Sequence, residues 1–109
     1  MNKEIMKGSI DILILSVIQQ GDTYGYEIMQ MIRQKSNDLH QMTQGTLYPA
    51  LKRLENKGYL TSYWGEAPDT GVKRKFYSLT EGGKKALAQK VKEWDQVTNI
   101  IKQVRGGYA

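Results

Sequence analysis

Cysteine is absent from the sequence, and histidine occurs only once, at His40. These absences exclude disulfides, thiolate zinc sites, cysteine nucleophiles and histidine-rich metal clusters. No paired acidic motif is present, and the pair Gly82 and Gly83 lacks the other glycines of a phosphate-binding GxGxxG loop. We therefore expect no enzymatic activity, no catalytic residues, no bound metal and no cofactor.

Long hydrophobic runs are also missing. The longest apolar stretch, residues 10–18, is too short to cross a bilayer and includes Asp11 and Ser16. It also lacks the small-residue cleavage site of a signal peptide. The sequence therefore predicts a cytoplasmic protein with no membrane partner.

Negative charge is scarce, because 16 Lys and Arg residues outnumber 11 Asp and Glu residues and give a formal net charge of +5. A basic surface favours a polyanionic partner such as nucleic acid. The length of 109 residues predicts one small domain, and such a domain buries only about 60–65% of the surface of its unfolded chain. A second subunit would therefore add to its stability.

The first half of the chain contains two predicted helices before a polar connection. Residues 4–20 fit a strand or a helix by periodicity, and the length of the run favours a helix that stops at Gly21. Thr23 is expected to cap a second helix over residues 24–35. His40 lies in the connection that follows, with no catalytic partner at a recognisable spacing, and we expect it on the surface.

A third helix is predicted to begin near Gly45 or Thr46, because leucines recur there at i, i+4 and i+7. Gly58 ends this helix as a C′ glycine would. The short connection lets the third helix fold back against the second. The leucines of its buried face are Leu47, Leu51 and Leu54.

The second half of the chain predicts a hairpin and a long helix. Residues 59–64 and 72–79 are rich in β-branched and aromatic side chains, and turn-forming residues separate them at 65–71. Thr80 is a candidate N-cap for the last helix, although Gly82 and Gly83 weaken the start of that helix. An apolar stripe along the helix needs another helix to pack against. Its members are Leu87, Val91, Trp94, Val97, Ile101 and Val104.

The order helix, helix, helix, hairpin, long helix predicts a mainly α fold with a small β-hairpin. This order is typical of a winged helix-turn-helix domain with a C-terminal dimerisation helix. We expect the winged DNA-binding domain to span residues 1–80 and the dimerisation helix to span residues 81–109.

Three segments of the sequence resemble one known family. They are YGYEI at 24–28, GTLYPALKRLENKGYL at 45–60 and KRKFYSLTEGG at 73–83. Together they resemble the PadR family of bacterial transcriptional regulators, and KEWD at 92–95 in the final helix is similar to the compact LmrR-like subgroup. The resemblance covers nearly the whole chain, and it implies a homodimer that binds operator DNA through winged helices.

The resemblance makes the third helix the recognition helix and the hairpin the wing. If the helix begins near Gly45 or Thr46, Pro49 lies at the end of the first turn, where its missing N–H costs little. The N-terminal donors and the positive dipole end can then approach phosphates, and the outward side chains are free to meet DNA. The implied DNA-binding residues are Thr46, Tyr48, Lys52 and Arg53 of the helix and Lys73, Arg74 and Lys75 of the wing, with Gln44 and Thr43, just before the helix, as weaker candidates for phosphate contacts.

Structural alternatives exist for two of these assignments. In one, Tyr48 packs under the wing and Pro49 only shapes a turn. In the other, the wing cations form a solvated basic edge that blocks sheet aggregation. Alternation along a strand also prevents Lys73, Arg74 and Lys75 from all pointing the same way.

Trp94 is the candidate ligand-binding residue. A Trp in a helical stripe is usually part of a core or an interface, but the resemblance implies that Trp94 and its dimer mate stack on a flat aromatic ligand. Thr98 lies one turn further on and shares this face. Phenolic acids, antimicrobials and no ligand at all remain open.

The sequence therefore predicts a homodimeric PadR-like regulator, a repressor that binds an inverted-repeat operator and is released by a hydrophobic or aromatic small molecule. The alternative is a winged-helix protein-interaction module without DNA binding. Such a module would present a neutral recognition face, and Lys52, Arg53 and the wing cations argue against it.

Overall fold

A computed structural model describes residues 9–39 and 41–106. The start of the predicted first helix and the predicted surface position of His40 lie outside the described residues. Within them the chain forms α1 (Ile10–Gln19), β1 (Thr23–Tyr24), α2 (Gly25–Lys35), α3 (Gln44–Asn56), β2 (Leu60–Glu66), β3 (Lys73–Leu79) and α4 (Glu81–Val104). This order confirms the predicted winged helix-turn-helix fold with a C-terminal helix.

The first three helices enclose one apolar core. The predicted leucine face of α3 is confirmed, because Leu47, Leu51 and Leu54 are all fully buried. Ile14 and Leu15 of α1 are also fully buried, so the ambiguous first segment is a helix that supplies part of the same core. Each such side chain contributes about 1.5–3 kcal/mol when it is removed from water.

The predicted hairpin is confirmed, and it belongs to a three-stranded antiparallel sheet in the order β1-β3-β2. β2 and β3 pair from Leu60 opposite Leu79 to Glu66 opposite Lys73, so β2 continues two residues into the stretch expected to be a loop. Closing the ladder at Glu66 leaves a six-residue connection, Ala67 to Val72.

The short strand β1 differs from the sequence-based expectation. Tyr24 was predicted as the first residue of a helix, but its backbone is extended and it pairs with Phe76 of β3. Thr23, the expected cap, is the other residue of this strand and lies opposite Tyr77. A two-residue strand has no periodicity of its own and exists only because β3 provides its hydrogen-bonding edge.

The junction between α3 and α4 is fixed by backbone contacts. Gly58 has a φ of +81°, which is the left-handed conformation expected of a glycine after a helix. The hydroxyl of Thr80 accepts the N–H of Gly83 at 2.9 Å and donates to the carbonyl of Gly58 at 2.6 Å, which confirms the predicted cap. A Cβ at Gly83 would lie 2.1 Å from the carbonyl oxygen of Tyr59, so this close approach requires glycine.

Helix α4 starts on the winged domain and then leaves it. Leu87 is part of the buried core, whereas every residue from Val91 to Val104 is exposed. The first turns of α4 pack against α1. The predicted domain division at residue 80 stays a prediction. Within the part of the chain described, none of the helices is both long enough and apolar enough to span a membrane.

Candidate nucleic-acid interface

The N-terminal end of α3 is open to solvent. The helix begins at Gln44, with no side-chain cap from Thr43, and both Gln44 and Thr46 are exposed. The hydroxyl of Thr46 receives only a long hydrogen bond, 3.4 Å, from the hydroxyl of Thr43. The N–H of Thr46 bonds the carbonyl of Thr43 at 3.1 Å. The N–H groups of Gln44 and Gly45 come before the first acceptor of the helix ladder and face the open end.

Pro49 lies deeper in α3 than the sequence predicts. Because the helix begins one or two residues earlier than expected, Pro49 is its sixth residue and belongs to the second turn. Its missing N–H therefore removes the donor that would bond the carbonyl of Gly45. Pro49 itself is exposed, so its ring lies on the solvent side of the helix rather than in the core.

Tyr48 divides its surface between packing and solvent. A Cβ placed on Gly25 would lie 2.5 Å from the hydroxyl oxygen of Tyr48 and 2.8 Å from Cζ, so the ring lies directly over the first residue of α2. The side chain nevertheless remains 45% exposed. The ring thus packs against α2, and DNA contact by its exposed edge stays a prediction.

Arg53 is not free in the way the sequence predicts, whereas Lys52 is exposed. The two terminal nitrogens of Arg53 donate to the two carboxylate oxygens of Asp11 at 2.8 and 2.9 Å. The reason is that α1 packs beside α3 and places Asp11 opposite the last turn of α3. The hydrogen bonds from Arg53 hold the pKa of Asp11 below its ordinary value, against the effect of partial burial. A DNA contact by Arg53 stays a prediction.

The wing cations point to two faces of β3, as alternation requires. The guanidinium carbon of Arg74 lies 5.6 Å from the ring centroid of Tyr24 on one face. On the other face, Nζ of Lys75 lies 5.8 Å from the ring centroid of Tyr77. All three predicted cations, including Lys73, are exposed. Their contact with DNA stays a prediction.

Glu55 joins α3 to the wing, a role that the sequence does not reveal. The hydroxyl of Ser62 in β2 donates to one oxygen of this carboxylate at 2.5 Å. The ammonium of Lys75 in β3 lies 3.9 Å from the other oxygen. These contacts fix the base of the wing against the last turns of α3, so the two basic elements keep one relative orientation.

An aromatic cluster stiffens the opposite face of the wing. Tyr63 and Phe76 stack across the strands with their centroids 5.6 Å apart, and Tyr24 meets the edge of Phe76 at 5.2 Å. The hydroxyl of Tyr63 also donates to Asp22 at 2.6 Å, which raises the pKa of Tyr63. This cluster holds β1 and both wing strands together.

A cavity of about 420 Å³ lies between α1, α2 and the middle of α4. Its walls are mainly apolar side chains, and Trp94 of α4 forms one edge with 46% of its surface exposed. The hydroxyl of Thr98 instead donates to the carbonyl of Trp94 at 3.0 Å, and Thr98 is not among the residues that line the cavity. The structure thus brings Trp94 to a cavity but not Thr98, and ligand binding by both stays a prediction.

Within residues 9–39 and 41–106, the structure contains no group of three or more acidic or histidine side chains that could hold a metal ion. The surface around α3 and the wing carries exposed basic side chains and the open end of a helix.

The sequence profile of the transcriptional regulator PadR-like family matches residues 14–89. This chain belongs to the PadR-like family. Its regulators are DNA-binding proteins without enzymatic activity, and the matched region includes α2, α3 and the wing. The profile addresses the family and not its LmrR-like subgroup, so membership of that subgroup stays a prediction.

Two relatives show how far the similarity extends along the chain. The chain is 43% identical over 98 residues to an uncharacterized protein X of Lysinibacillus sphaericus, covering 90% of this chain and 89% of the relative. It is 28% identical over 74 residues to the negative transcriptional regulator PadR of Bacillus subtilis (strain 168), covering 68% of this chain and 40% of that protein.

Solved structures share the complete fold. A transcriptional regulator from Clostridium thermocellum Cth-833 is 39% identical, with a TM-score of 0.84 over 93% of this chain and 97% of that chain. A PadR family transcription regulator from hypervirulent Clostridium difficile R20291 is 38% identical, with a TM-score of 0.77 over 88% of this chain and 97% of that chain.

Proposed function

We propose that this PadR-family protein is a homodimeric transcriptional repressor that binds an inverted-repeat operator through α3 and the wing. One observation carries the proposal: the exposed, uncapped start of α3 and the exposed Lys52 belong to a helix that Glu55 joins to the basic wing. Outward backbone donors and cations are the groups that bind phosphates and position a helix in the major groove.

The exposed part of α4 supports the dimer. Apolar side chains continue along residues 91–104, where every residue is exposed in the single chain. Contiguous apolar surface of this kind marks an interaction site. A second copy provides a matching stripe, and two-fold symmetry would place the recognition helices in successive major grooves, about 34 Å apart. The exposed members are Val91, Trp94, Val97, Ile100, Ile101 and Val104.

The cavity beside Trp94 supports release by a small molecule. Its volume of about 420 Å³ is within the range of about 300–1,000 Å³ that ligand pockets occupy. The apolar walls and the indole favour a hydrophobic or aromatic molecule. Because α4 would also form the dimer, a molecule bound here would change the spacing of the two recognition helices.

Sequence-specific DNA binding can be tested by using the full chain to select duplexes from a random-sequence library. We expect enrichment of an inverted repeat, with half-sites about one helical turn apart, and binding that weakens steeply as salt rises. An unenriched library together with salt-independent binding would contradict the proposal and would favour the protein-interaction module instead.

Repression and release need the selected duplex inside a promoter. We expect the protein to reduce transcription from that promoter in vitro, and to leave a promoter with a scrambled site unaffected. Activation in place of reduction would contradict the repressor assignment while leaving DNA reading intact.

A further inference from the structure

Asp11 is the point at which three helices meet through charge. Its carboxylate accepts two hydrogen bonds from Arg53 of α3, and one of its oxygens lies 4.0 Å from Nζ of Lys90 in α4. The Asp11 side chain is only 19% exposed, less than either cation. Asp11 itself belongs to the first turn of α1. One acid therefore connects the core helix, the recognition helix and the C-terminal helix.

The geometry of this cluster is directional. Two parallel hydrogen bonds between a guanidinium and a carboxylate fix the orientation of both groups, which a single ion pair does not do. Lys57, directly after α3, adds a further positive charge near the same carboxylate. Three cations, one in α3, one directly after it and one in α4, thus lie near Asp11. A partly buried carboxylate is tolerated because it is paired in this way.

We propose that Asp11 is a positioning residue for DNA recognition: it orients α3 through Arg53 and relates α3 to α4 through Lys90. The inference rests on the proposed function, in which α3 reads the operator and α4 forms the dimer. Through Asp11, the orientation of the reading helix depends on the position of the helix that joins the two subunits.

The sign of the expected effect separates positioning from simple electrostatics. Asp11→Asn removes a negative charge from a DNA-binding protein, so electrostatics alone predicts tighter binding to every duplex. Positioning predicts weaker binding to the selected operator and no loss on a scrambled duplex. A second alternative is that Arg53 reads DNA directly and is restrained by Asp11. In that case the Asp11→Asn variant would also bind the operator more tightly.

The test measures the ratio of dissociation constants for a scrambled duplex and for the operator selected by the wild-type protein. For Asp11→Asn we expect the ratio to fall about tenfold, since hydrogen bonds between charged groups are lost. Lys90→Gln should lower this ratio less than Asp11→Asn does. The ratio for the double variant should be no lower than for Asp11→Asn alone, because Lys90 acts through Asp11. Asp38→Asn is the matched control, because Asp38 accepts a 2.8 Å hydrogen bond from Arg33 on an exposed surface.

An unchanged or increased ratio in folded, dimeric Asp11→Asn would overturn the inference, with native mass and thermal unfolding as the check on fold. If that variant does not fold, Lys90→Gln decides alone, and an unchanged ratio overturns the link to α4. A wild-type protein that selects no operator would instead refute the proposed function and leave the ion cluster as a contact within the fold.

Discussion

At the scale of single residues, Asp11 links the ionisation of one carboxyl to the stability of the fold. Its pKa in the folded protein lies below the ordinary value of 3.8, mainly because Arg53 donates hydrogen bonds to it. The folded state therefore favours the charged carboxylate more than the unfolded chain does. This contribution is fully present above the ordinary pKa and is lost as pH falls through the lowered pKa.

We expect Asp11→Asn to lower the free energy of unfolding by about 1.5–3 kcal/mol at pH 7, because two charge-assisted hydrogen bonds are weakened. The difference from wild type should shrink as pH falls below 3.8 and vanish once Asp11 of the wild type is protonated as well. Urea unfolding across this pH range measures both values. A penalty that stays constant down to low pH would show that charge is not its origin.

Residue contacts between distant segments are the part of the structure that the sequence hides. Asp11 and Arg53 are 42 positions apart, and their pairing depends on how α1 packs on α3. In the sequence, Asp11 only interrupts an apolar run and Arg53 resembles any outward cation. The contact between Tyr48 and Gly25 is a similar case, because neither residue type nor spacing predicts it.

At the scale of elements, the features that depend on local chemistry were predictable and the others were not. The Leu47, Leu51 and Leu54 face, the Gly58 stop and the Thr80 cap were all predicted from neighbouring residues, and all are confirmed. Strand β1 was missed because it requires an edge formed by β3, far along the chain. Among the predicted DNA-binding residues, Arg53 forms an ion pair inside the molecule, and its sequence context does not indicate this.

The start of α4 offers a sharp test of element packing. Gly83→Ala should destabilise the protein by about 3 kcal/mol or more, because its Cβ would lie 2.1 Å from a backbone oxygen of Tyr59 that cannot move alone. Gly82→Ala is the matched control, since its nearest contact is 3.6 Å away. Thermal unfolding should show the control near wild type or slightly above it. Equal losses at both positions would contradict the packing explanation.

The wing offers a test of charge. Lys73→Ala should weaken binding to all duplexes alike and lower the slope of binding against salt by about one unit, because one phosphate contact is lost. Lys84→Ala removes another exposed cation, which pairs with Glu81 at the start of α4, and its slope should match wild type. Fluorescence anisotropy at several salt concentrations distinguishes the two. Selective loss on the operator would make Lys73 a base reader instead.

At the scale of the whole molecule, the apolar stripe of α4 predicts a stable dimer with an interface of about 2,000 Å² or more. Val97→Glu should convert it to monomer, because the new charge lies within that stripe. Asn99→Glu, an exposed position on the other side of the helix, should remain dimeric. Native mass spectrometry at micromolar concentration decides the matter, and a wild-type monomer there would contradict the prediction.

Sensing is also a property of the whole dimer. If a flat ligand stacks on Trp94, a phenolic acid or a flat cationic dye should quench the fluorescence of Trp64→Phe, which retains Trp94, and should release the operator. Both effects should disappear in Trp94→Phe, because the remaining Trp64 lies on the wing. Quenching and release that persist in Trp94→Phe and vanish in Trp64→Phe would place the ligand elsewhere.

The exposure of α4 from Val91 to Val104 also bears on how such a regulator evolves. Substitutions between residues 91 and 104 fall on exposed positions, so they leave the core and the DNA-reading side chains intact. In the proposed dimer, such substitutions, apart from those at the cavity residue Trp94, would change how two copies meet. A lineage with this architecture can therefore acquire new half-site spacings, and with them new target promoters, without altering a single base-reading residue.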